Sequence, residues 1–562
     1  MSTSQGKSLP GREEAPSFND PVPLFMLKDF DSSKDAHRNI IVAARLIAGI
    51  IRSALGPRSM DKMLVDSLGE VTITNDGLTI LKEVDIEHPV GKMMVEVART
   101  ADKVIGDGTK SIVILTGALM EQAEELINMG MSPITIVNGF RKASARSIEI
   151  LNSIAEKVSI NDRNTLIKIV NTSIQSKFFS EHNAHLSEII VDAVLHVVEK
   201  RGENYRVDID NVHVEKKEGG SIRDTKLIRG MVLDKEVVHG LMKKRVDNAL
   251  IALLSVPFMI YRRKDGFAFT PRFKIDDPKK MKAIMGEEDR MLREMVDKVV
   301  QSGANVVICQ RGMKDIVRDY LAQAGLLAIR RVTQPNMIRL AKATGGNIVT
   351  NFRFLSEEDL GRAGLVEERA VGIERWIFIE ECNDPKAVTV MIRGGTKRVV
   401  EEVERSVHDA LMVLKAVIEK PSILAGGGSS EAYTALRLRE WANTISGREQ
   451  LAIQKFTDVL ETIPLVLAEN AGMDPIDTIT ELRSRQTREG KWMGIDARER
   501  SIVDMMKKGI VEPLLLKRQI IKAATEVASA ILRIDMILAK PKKEGRKEQP
   551  HKIKGLEVDK VY

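Results

Sequence analysis

Short segments rich in glycine and aspartate lie in two widely separated parts of this 562-residue chain. Residues 74–77 and 106–109 belong to the N-terminal part, whereas residues 407–411 and 426–428 lie far later in the chain. Glycine allows the backbone to approach a ligand closely, and aspartate binds hard metal ions or orients water. The pattern indicates one site assembled from both ends of the chain, with the residues between them inserted as separate domains.

The composition is that of a globular chain with about three to four domains. Hydrophobic residues make up 43% and charged residues 29% of the sequence. No apolar run is long enough to cross a bilayer, and the N-terminal residues lack the apolar segment of a signal peptide. We therefore expect no membrane span and a cytoplasmic location.

Cysteine content and charge exclude two further classes. The only cysteines are Cys309 and Cys382, so neither a disulfide framework nor a cysteine-rich zinc site is available. The net charge is only +7, and aromatic residues make up only 4% of the chain. Such a small positive charge barely favours a nucleic-acid partner, and the low aromatic content argues against base stacking, so we expect no specific nucleic-acid partner.

Hydrophobic spacing divides the N-terminal part into predicted elements. A helix is predicted over 33–55, and a β-hairpin over 70–74 and 78–81, with Asp76 in its turn. Two more helices are predicted at 93–105 and 112–129. The glycine-rich loop at 106–109 therefore joins two helices and lies at the start of the second one.

The rest of the chain changes its pattern twice. Residues 159–227 mix helices with short strands, and an alternating strand and helix pattern typical of an α/β domain follows from residue 228. Long helices dominate after a strand at 387–392 and a turn at Gly394, and Pro513 is placed in the first turn of the last helix. The predicted strands of the α/β region are 249–254, 305–309 and 326–329, and its helices are 291–301 and 313–324; the later helices are 399–418 and 514–538.

The loop around Asp107 is suited to magnesium and phosphate. Magnesium prefers one or two carboxylates together with phosphate oxygens, and the start of a helix favours anions. The alternative is a turn that only links two helices. Lys110 and Ser111 do not complete a P-loop, because that motif needs a glycine directly before the lysine and a strand before the loop.

Two further aspartates are candidates for catalysis. Asp76 and Asp409 each fit a carboxylate that orients a water molecule for phosphoryl transfer, although one could be a turn former and the other a solvated helix charge. Residues 426–428 could contact a base or ribose, or could only end a helix. From these residues alone, the sequence indicates no more than a candidate ATP site.

Many segments of the chain, in the same order, resemble the signatures of group II chaperonins, and among them those of archaeal thermosome subunits. The resemblance covers about residues 25–539. The matching segments are 55–64, 73–77, 106–109, 366–369, 392–396, 426–428, 467–475 and 532–535.

The resemblance implies a multidomain α and α/β subunit that works as an ATP-dependent molecular chaperone. It would hydrolyse ATP with Mg²⁺, assemble with identical or paralogous subunits in two stacked rings, and enclose unfolded client proteins. We expect a flexible arm at 1–16 and a basic flexible tail at 540–562. A mostly helical equatorial domain is expected at 17–158 and 413–539, and a small intermediate α/β domain at 159–227 and 378–412. An apical α/β domain is expected at 228–377, with a helical protrusion near 261–290.

The resemblance also implies roles for individual residues. Asp107 corresponds to the magnesium-binding aspartate, and Asp76 and Asp409 correspond to the two carboxylates implicated in hydrolysis. The nucleotide-binding set is Leu55, Gly56, Pro57, Asn75, Gly77, Gly106, Asp107, Gly108, Thr109, Lys110, Ser111, Gly427, Gly428, Asp496 and Glu512.

The chain departs from the family pattern near the phosphates. Lys110 and Ser111 replace a frequent pair of threonines, and Arg58 and Ser59 replace a frequent Lys-Gly pair. Lys110 could add charge near the phosphates or point away from them. These departures leave open a ring subunit that hydrolyses ATP poorly, while the basic and aromatic protrusion motivates a second alternative, a nucleic-acid-binding protein.

Overall fold

The computed structural model describes residues 33–535 except 67–68, 85, 87, 176–179, 203, 260–261, 265–266, 270–277 and 384. The predicted arm at 1–16 and the predicted tail at 540–562 lie outside these residues. Part of the predicted protrusion does so as well.

The helices carry most of the described chain. Their bounds are α1 Ser33–Arg52, α2 Gly77–Glu83, α3 Pro89–Ile105, α4 Thr109–Asn128, α5 Pro133–Ile154, α6 Arg163–Ile174, α7 Asn183–Val197, α8 Pro278–Gln301, α9 Asp315–Gln323, α10 Gln334–Thr344, α11 Lys397–Glu419, α12 Ser429–Ala442, α13 Glu449–Ala471, α14 Pro475–Arg488, α15 Met505–Lys508 and α16 Leu514–Leu532.

The strands are mostly short. Their bounds are β1 Lys62–Val65, β2 Val71–Thr74, β3 Glu156–Lys157, β4 Val198–Arg201, β5 Asn204–Val207, β6 Val212–Glu218, β7 Lys226–Ile228, β8 Met231–Leu233, β9 Arg245–Leu254, β10 Arg262–Lys264, β11 Phe267–Phe269, β12 Val306–Cys309, β13 Leu327–Ile329, β14 Ile348–Val349, β15 Gly361–Val371, β16 Glu374–Glu380, β17 Val388–Gly394, β18 Ser422–Ala425, β19 Met493–Asp496, β20 Ser501–Asp504 and β21 Val511–Pro513.

One large helical core is built from both ends of the chain. Helices α1, α3, α4 and α5 pack with α12, α13 and α16 around a shared set of buried apolar side chains. The rings of Phe140 on α5 and Phe456 on α13 lie 5.9 Å apart, centroid to centroid. This core brings together the two segments that the sequence separates, although the domain boundaries themselves remain predictions.

A second core joins helices α6, α7 and α11 to a three-stranded sheet of order β6-β17-β7. Strand β17 pairs parallel with β6 and antiparallel with β7. Helix α11 follows β17 directly, and its N-cap residue Thr396 accepts a hydrogen bond from the Val399 backbone amide. Its buried face joins this core, and the helix also contacts α3 and α16 of the helical core.

The middle of the chain forms a mixed sheet of order β13-β12-β9-β15-β16-β8, with β14 paired to β9. Strand β9 pairs parallel with β12 and β14, and β12 pairs parallel with β13. Strand β15 pairs antiparallel with β9 and β16, and β16 pairs antiparallel with β8. Apolar side chains are buried on both faces of this sheet. The predicted α/β pattern from residue 228 is thus confirmed, and its predicted strands lie within or beside β9, β12 and β13.

The segment predicted as a helical protrusion contains strands as well as a helix. Among the described residues of 261–290, β10 and β11 form an antiparallel hairpin and α8 begins at Pro278. Proline suits the first position of a helix, because its missing amide would have no partner there.

Several local predictions were wrong. Residues 78–81 lie in α2 rather than in a strand, and β2 pairs with β1 instead. Asp76 is therefore a helix N-cap and not a hairpin turn residue. Pro513 precedes α16 as its N-cap residue. The short strands β18 to β21 interrupt a region that was predicted to be dominated by helices.

None of the described helices is long and apolar enough to cross a membrane.

We predict that Phe456→Ala destabilises the helical core by about 3–5 kcal/mol, because it removes a buried ring that contacts Phe140 and leaves a cavity. Urea unfolding followed by circular dichroism at fixed subunit concentration measures the effect. Leu451→Ala is the matched control, since this leucine lies on the same helix and is 46% exposed. The control should change stability by no more than about 0.5 kcal/mol; equal effects would contradict the prediction.

Candidate functional site

One cleft lies where the helical core meets α6 and α11. It contains about 1320 Å³ of space free of atoms, part of which is open to solvent. All the site residues predicted from the sequence except Asn75 line this cleft. They are Leu55, Gly56, Pro57, Asp76, Gly77, Gly106, Asp107, Gly108, Thr109, Lys110, Ser111, Asp409, Gly427, Gly428, Asp496 and Glu512.

The loop around Asp107 joins α3 to α4, as predicted. Gly106 and Gly108 have φ angles of 75° and 84°, a left-handed conformation that favours glycine. Gly108 is the N-cap of α4 and, as a glycine, supplies no side-chain cap to this helix. The Gly108 amide donates a hydrogen bond of 2.6 Å to Asp107 Oδ1. The start of α4 therefore presents backbone amides and a positive dipole end beside a fixed carboxylate, which suits phosphate and a metal ion.

Asp76 enters the cleft as the N-cap of α2. Its Oδ2 accepts a hydrogen bond of 2.8 Å from the Thr79 amide, and its own amide donates to Thr74 Oγ1 over 3.0 Å. These bonds fix the direction of the carboxylate. Asn75 is buried behind the cleft, and its Nδ2 donates to Ser59 Oγ over 3.5 Å.

Asp409 comes from α11, which belongs to the middle of the chain. A Cβ atom on Gly106 would lie 3.5 Å from the Cα of Asp409 and would clash with the side chain of Met412. Glycine at position 106 thus permits α11 to lie directly on the loop. The structure brings Asp76, Asp107 and Asp409 to one cleft from three separate segments.

Asp102 is a cleft residue that the sequence analysis missed. Burial raises the pKa of its carboxyl group, and the negative charges of Asp76 and Asp107 raise it further, while His408 and Lys82 act in the opposite direction. Asp102 lies near the C-terminal end of α3, where the helix dipole disfavours a carboxylate. That unfavourable position is a signal in the sequence that could have identified it.

The opposite wall carries the residues predicted to contact the nucleoside. Gly428 is the N-cap of α12, so the glycine segment opens a helix rather than ending one. The carbonyl of Gly427 accepts a hydrogen bond of 2.9 Å from the Ile495 amide. Glu512 lies on β21, and its Oε2 is 2.6 Å from Lys517 Nζ. Burial raises the pKa of Glu512, although the ammonium group of Lys517 partly opposes this effect.

Asp496 is 4% exposed and has several partners. Its Oδ1 accepts hydrogen bonds from the amides of Arg498 and Glu499, and its Oδ2 is 2.8 Å from Lys508 Nζ. Burial alone would raise the pKa of Asp496, but these partners outweigh it and hold the pKa below its usual range. The carboxylate therefore fixes the turn that forms this side of the cleft.

The segment after α1 covers one edge of the cleft. Asn470 Nδ2 donates to the Leu55 carbonyl over 2.8 Å, which ties this segment to α13. Arg58 Nη2 donates to the Arg498 carbonyl over 2.8 Å, and Arg498 Nη2 donates to the Gln175 carbonyl over 3.2 Å. Two arginines thus connect three segments that surround the cleft.

Lys110 turns toward the end of α1, where its Nζ donates a hydrogen bond of 2.9 Å to the Ala54 carbonyl. Its methylene chain passes over Gly77, since a Cβ atom there would lie 2.8 Å from Lys110 Cγ. This geometry favours the alternative in which Lys110 points away from the phosphates and the backbone amides bind them.

The donor set fits magnesium bound together with phosphate. Within the part of the chain that the structure describes, no group of three or more His, Cys, Asp or Glu side chains is placed to bind a metal ion. Asp107 offers one carboxylate next to the amide-lined start of α4. Magnesium commonly binds one or two carboxylates and completes its shell with water and substrate phosphates.

Comparison with known proteins identifies the family of this chain. Residues 47–542 match the model of the TCP-1/cpn60 chaperonin family. The chain is 49% identical over 515 residues to a thermosome subunit of Pyrococcus horikoshii, covering 92% of this chain and 93% of the relative. It is 48% identical over 521 residues to thermosome subunit alpha of Archaeoglobus fulgidus, covering 92% and 95%.

The chain therefore belongs to the TCP-1/cpn60 chaperonin family, and the expectation of a group II chaperonin subunit is confirmed. Membership at this level of identity supports an ATP-dependent chaperone function.

We predict that Asp102→Asn stabilises the nucleotide-free protein at pH 7–8, with a melting temperature about 1–3 °C higher. A carboxyl group whose folded pKa is raised costs stability once it ionises, so the cost is present above the folded pKa and absent below the unfolded value near 4. The gain should disappear as the pH falls toward 4. Thermal unfolding of both proteins across this range checks the sign, and a variant less stable than wild type at pH 8 would contradict it.

Proposed function

We propose that this protein is an ATP-hydrolysing chaperonin subunit whose nucleotide site is completed by a residue from the inserted middle of the chain. The observation that supports this most directly is the position of Asp409, which lies on α11 yet lines the same cleft as Asp76 and Asp107. A carboxylate that reaches the site on a separate segment can link the chemistry to a movement of that segment.

The proposed roles follow from the positions of the residues. Asp107 holds Mg²⁺, and the backbone of Gly106 to Ser111 at the start of α4 binds the phosphates. The nucleoside lies toward the opposite wall. The residues that contact or cover it are Leu55, Gly56, Pro57, Gly427, Gly428, Asp496 and Glu512, while Asn75 and Gly77 hold the loop that carries Asp76.

In the proposed reaction, a water molecule attacks the γ-phosphorus of ATP and the bond to the bridging oxygen of ADP breaks. Asp76 and Asp409 orient this water, and one of them accepts its proton. The amides at the start of α4 stabilise the charge on the phosphoryl oxygens. Mg²⁺ supplies further charge neutralisation when it is bound.

Closure is the proposed link between hydrolysis and folding. ATP can shift the subunit between open and closed states only if it binds them with different affinities. The contact of α11 with the loop around Gly106 offers such a difference, because α11 is the segment that brings Asp409 to the cleft.

We further propose that identical or paralogous subunits form two stacked rings in the cytoplasm and enclose unfolded proteins. In this arrangement residues 17–158 and 413–539 form the equatorial domain, 159–227 and 378–412 the intermediate domain, and 228–377 the apical domain. The helical core supports the equatorial domain, the core around the sheet β6-β17-β7 supports the intermediate domain, and the mixed sheet supports the apical domain.

We predict that Asp76→Asn and Asp409→Asn each reduce Mg²⁺-dependent ATP turnover about 100-fold or more, while ATP binding changes by less than about fivefold. Asparagine is chosen because it preserves the N-cap of α2 and removes only the charge. Phosphate release and calorimetric binding of ATP measure the two effects separately.

The matched control is Asp474→Asn, since Asp474 is the N-cap of α14 and is not among the residues lining the cleft. It should keep turnover within about twofold of wild type. If wild-type rings bind ATP but do not turn it over, the protein is a ring subunit that depends on companion subunits for hydrolysis. Unchanged turnover in both cleft variants would exclude the proposed roles of the two aspartates.

We also predict that Lys110→Thr changes turnover by less than about threefold. The ammonium group of Lys110 is bonded to the Ala54 carbonyl, and the phosphate-binding amides belong to the backbone. Steady-state hydrolysis under saturating ATP is the measurement. A large increase would show instead that Lys110 suppresses activity in this chain.

A further inference from the structure

Arginines gather at one edge of the mixed sheet, beyond the ends of two parallel strands. Strand β12 ends at Cys309 and is followed by Arg311, while β13 ends at Ile329 and is followed by Arg330 and Arg331. The two strands pair parallel, and the Arg331 amide donates a hydrogen bond of 3.2 Å to the Arg311 carbonyl. The two loops therefore lie side by side. The carboxyl ends of parallel strands are a common place for ligands in α/β sheets.

A fourth arginine reaches this edge from helix α9, which packs against β13. Arg318 lies in the first turn of α9. Burial lowers the pKa of its guanidinium group, and the positive charges of Arg330 and Arg331 lower it further, whereas Asp319 acts in the opposite direction. A guanidinium group stays protonated in proteins, so these arginines repel one another and cannot relieve the repulsion by losing a proton.

The carboxylates nearby do not neutralise this group of arginines. Arg318 Nη2 pairs with Asp315, whose side chain is 87% exposed, and Asp319 Oδ1 lies 3.2 Å from His239 Nε2. Within the described ranges, the other three arginines form no ion pair with a carboxylate. The edge of the sheet therefore keeps an excess of positive charge.

Arg318 also carries a donor that is not used. Its Nε atom is buried and has no hydrogen-bond partner among the described residues. A buried donor without an acceptor costs stability, and the cost is larger for a charged group. An anion bound at this edge would supply the missing acceptor.

The backbone of Arg331 is unusual for an arginine. Its φ angle is 58°, in the left-handed region that glycine adopts without strain. Residues held in this region often lie at ligand sites. Glycine would suit the turn better, so the turn alone does not explain an arginine at this position.

We propose that this edge of the mixed sheet binds a phosphate group. The four arginines that hold it, called the arginine cluster below, are Arg311, Arg318, Arg330 and Arg331. Guanidinium groups match the geometry of phosphate and bond it through paired N–H donors. Phosphate carries more negative charge than a carboxylate and offsets more of the repulsion within the cluster. The site is separate from the nucleotide cleft, because none of the four arginines lines that cleft.

Two probes that share this chemistry test the site, namely inorganic tripolyphosphate and a peptide with one phosphoserine. Each is titrated calorimetrically into the whole protein with excess ADP, so that the nucleotide cleft does not contribute. In Arg318→Met and in Arg331→Gly, the dissociation constant of the bound probe should rise at least about tenfold, which corresponds to the loss of a hydrogen bond between charged groups.

The matched control is Arg362→Met. Arg362 is exposed on β15 and pairs in register with Leu250, which precedes the residues of β9 that pair with β12. It therefore lies toward the opposite edge of the same sheet, and its loss should leave the dissociation constant unchanged. Arg331→Gly should keep the melting temperature of wild type or raise it, since glycine adopts this backbone conformation without strain. Weaker binding without lower stability separates recognition from folding.

A measurement on wild type keeps the test independent of whether the variants fold. Phenylglyoxal modifies accessible arginines, and mass spectrometry locates the modified positions. Arg311 and Arg331 are exposed, as is Arg362. A bound probe should slow the modification of the first two and leave that of Arg362 unchanged.

The outcomes decide both the site and the source of the phosphate. Binding of tripolyphosphate alone identifies free phosphate as the ligand, and binding of the phosphoserine peptide identifies a phosphorylated protein segment. A peptide with glutamate in place of phosphoserine should bind much more weakly, and equal binding would contradict a phosphate site. Unchanged binding in both variants, or no protection of the cluster in wild type, would refute the proposal.

Discussion

The packing of the two chain ends into one helical core is the constraint on which the cleft depends. Helix α4 begins at the loop that carries Asp107, and it packs against α13 and α16 from the C-terminal part. Those contacts set the distance between the start of α4 and the wall that contains Glu512. The apolar interior of the core therefore sets the positions of Asp107 and Glu512 relative to each other.

The inserted middle of the chain reaches the cleft through few elements. Helix α11 contributes Asp409, and α6 contributes Ile169 and Thr172, whose hydroxyl accepts a hydrogen bond from the Val511 amide over 3.2 Å. These contacts are short-range and directional. A change in the position of the inserted part would consequently affect the cleft through the loss of particular hydrogen bonds.

The long helices, the glycine loops and the family could be predicted from the sequence. Nearly all the site residues predicted in this way line one cleft in the structure. The predictions that failed concern either local secondary structure or contacts that form only in the folded chain. Residues 78–81 contain β-branched side chains that favour a strand, but the N-cap bonds of Asp76 and the packing of α2 override that preference. The position of Asp102 near the end of a helix could be read from the sequence, but the charges of Asp76 and Asp107 beside it could not, because only the fold places them nearby.

The contact between Phe140 and Phe456 has a consequence for how the chain is made. A ribosome adds about 5–20 residues per second, so helices α1 to α5 leave the exit tunnel well before their partners α12 to α16 exist. During that interval the apolar faces that pack on α12, α13 and α16 have no native surface to cover them. A subunit proposed to shelter unfinished proteins thus itself exposes apolar surface until its C-terminal part has been made.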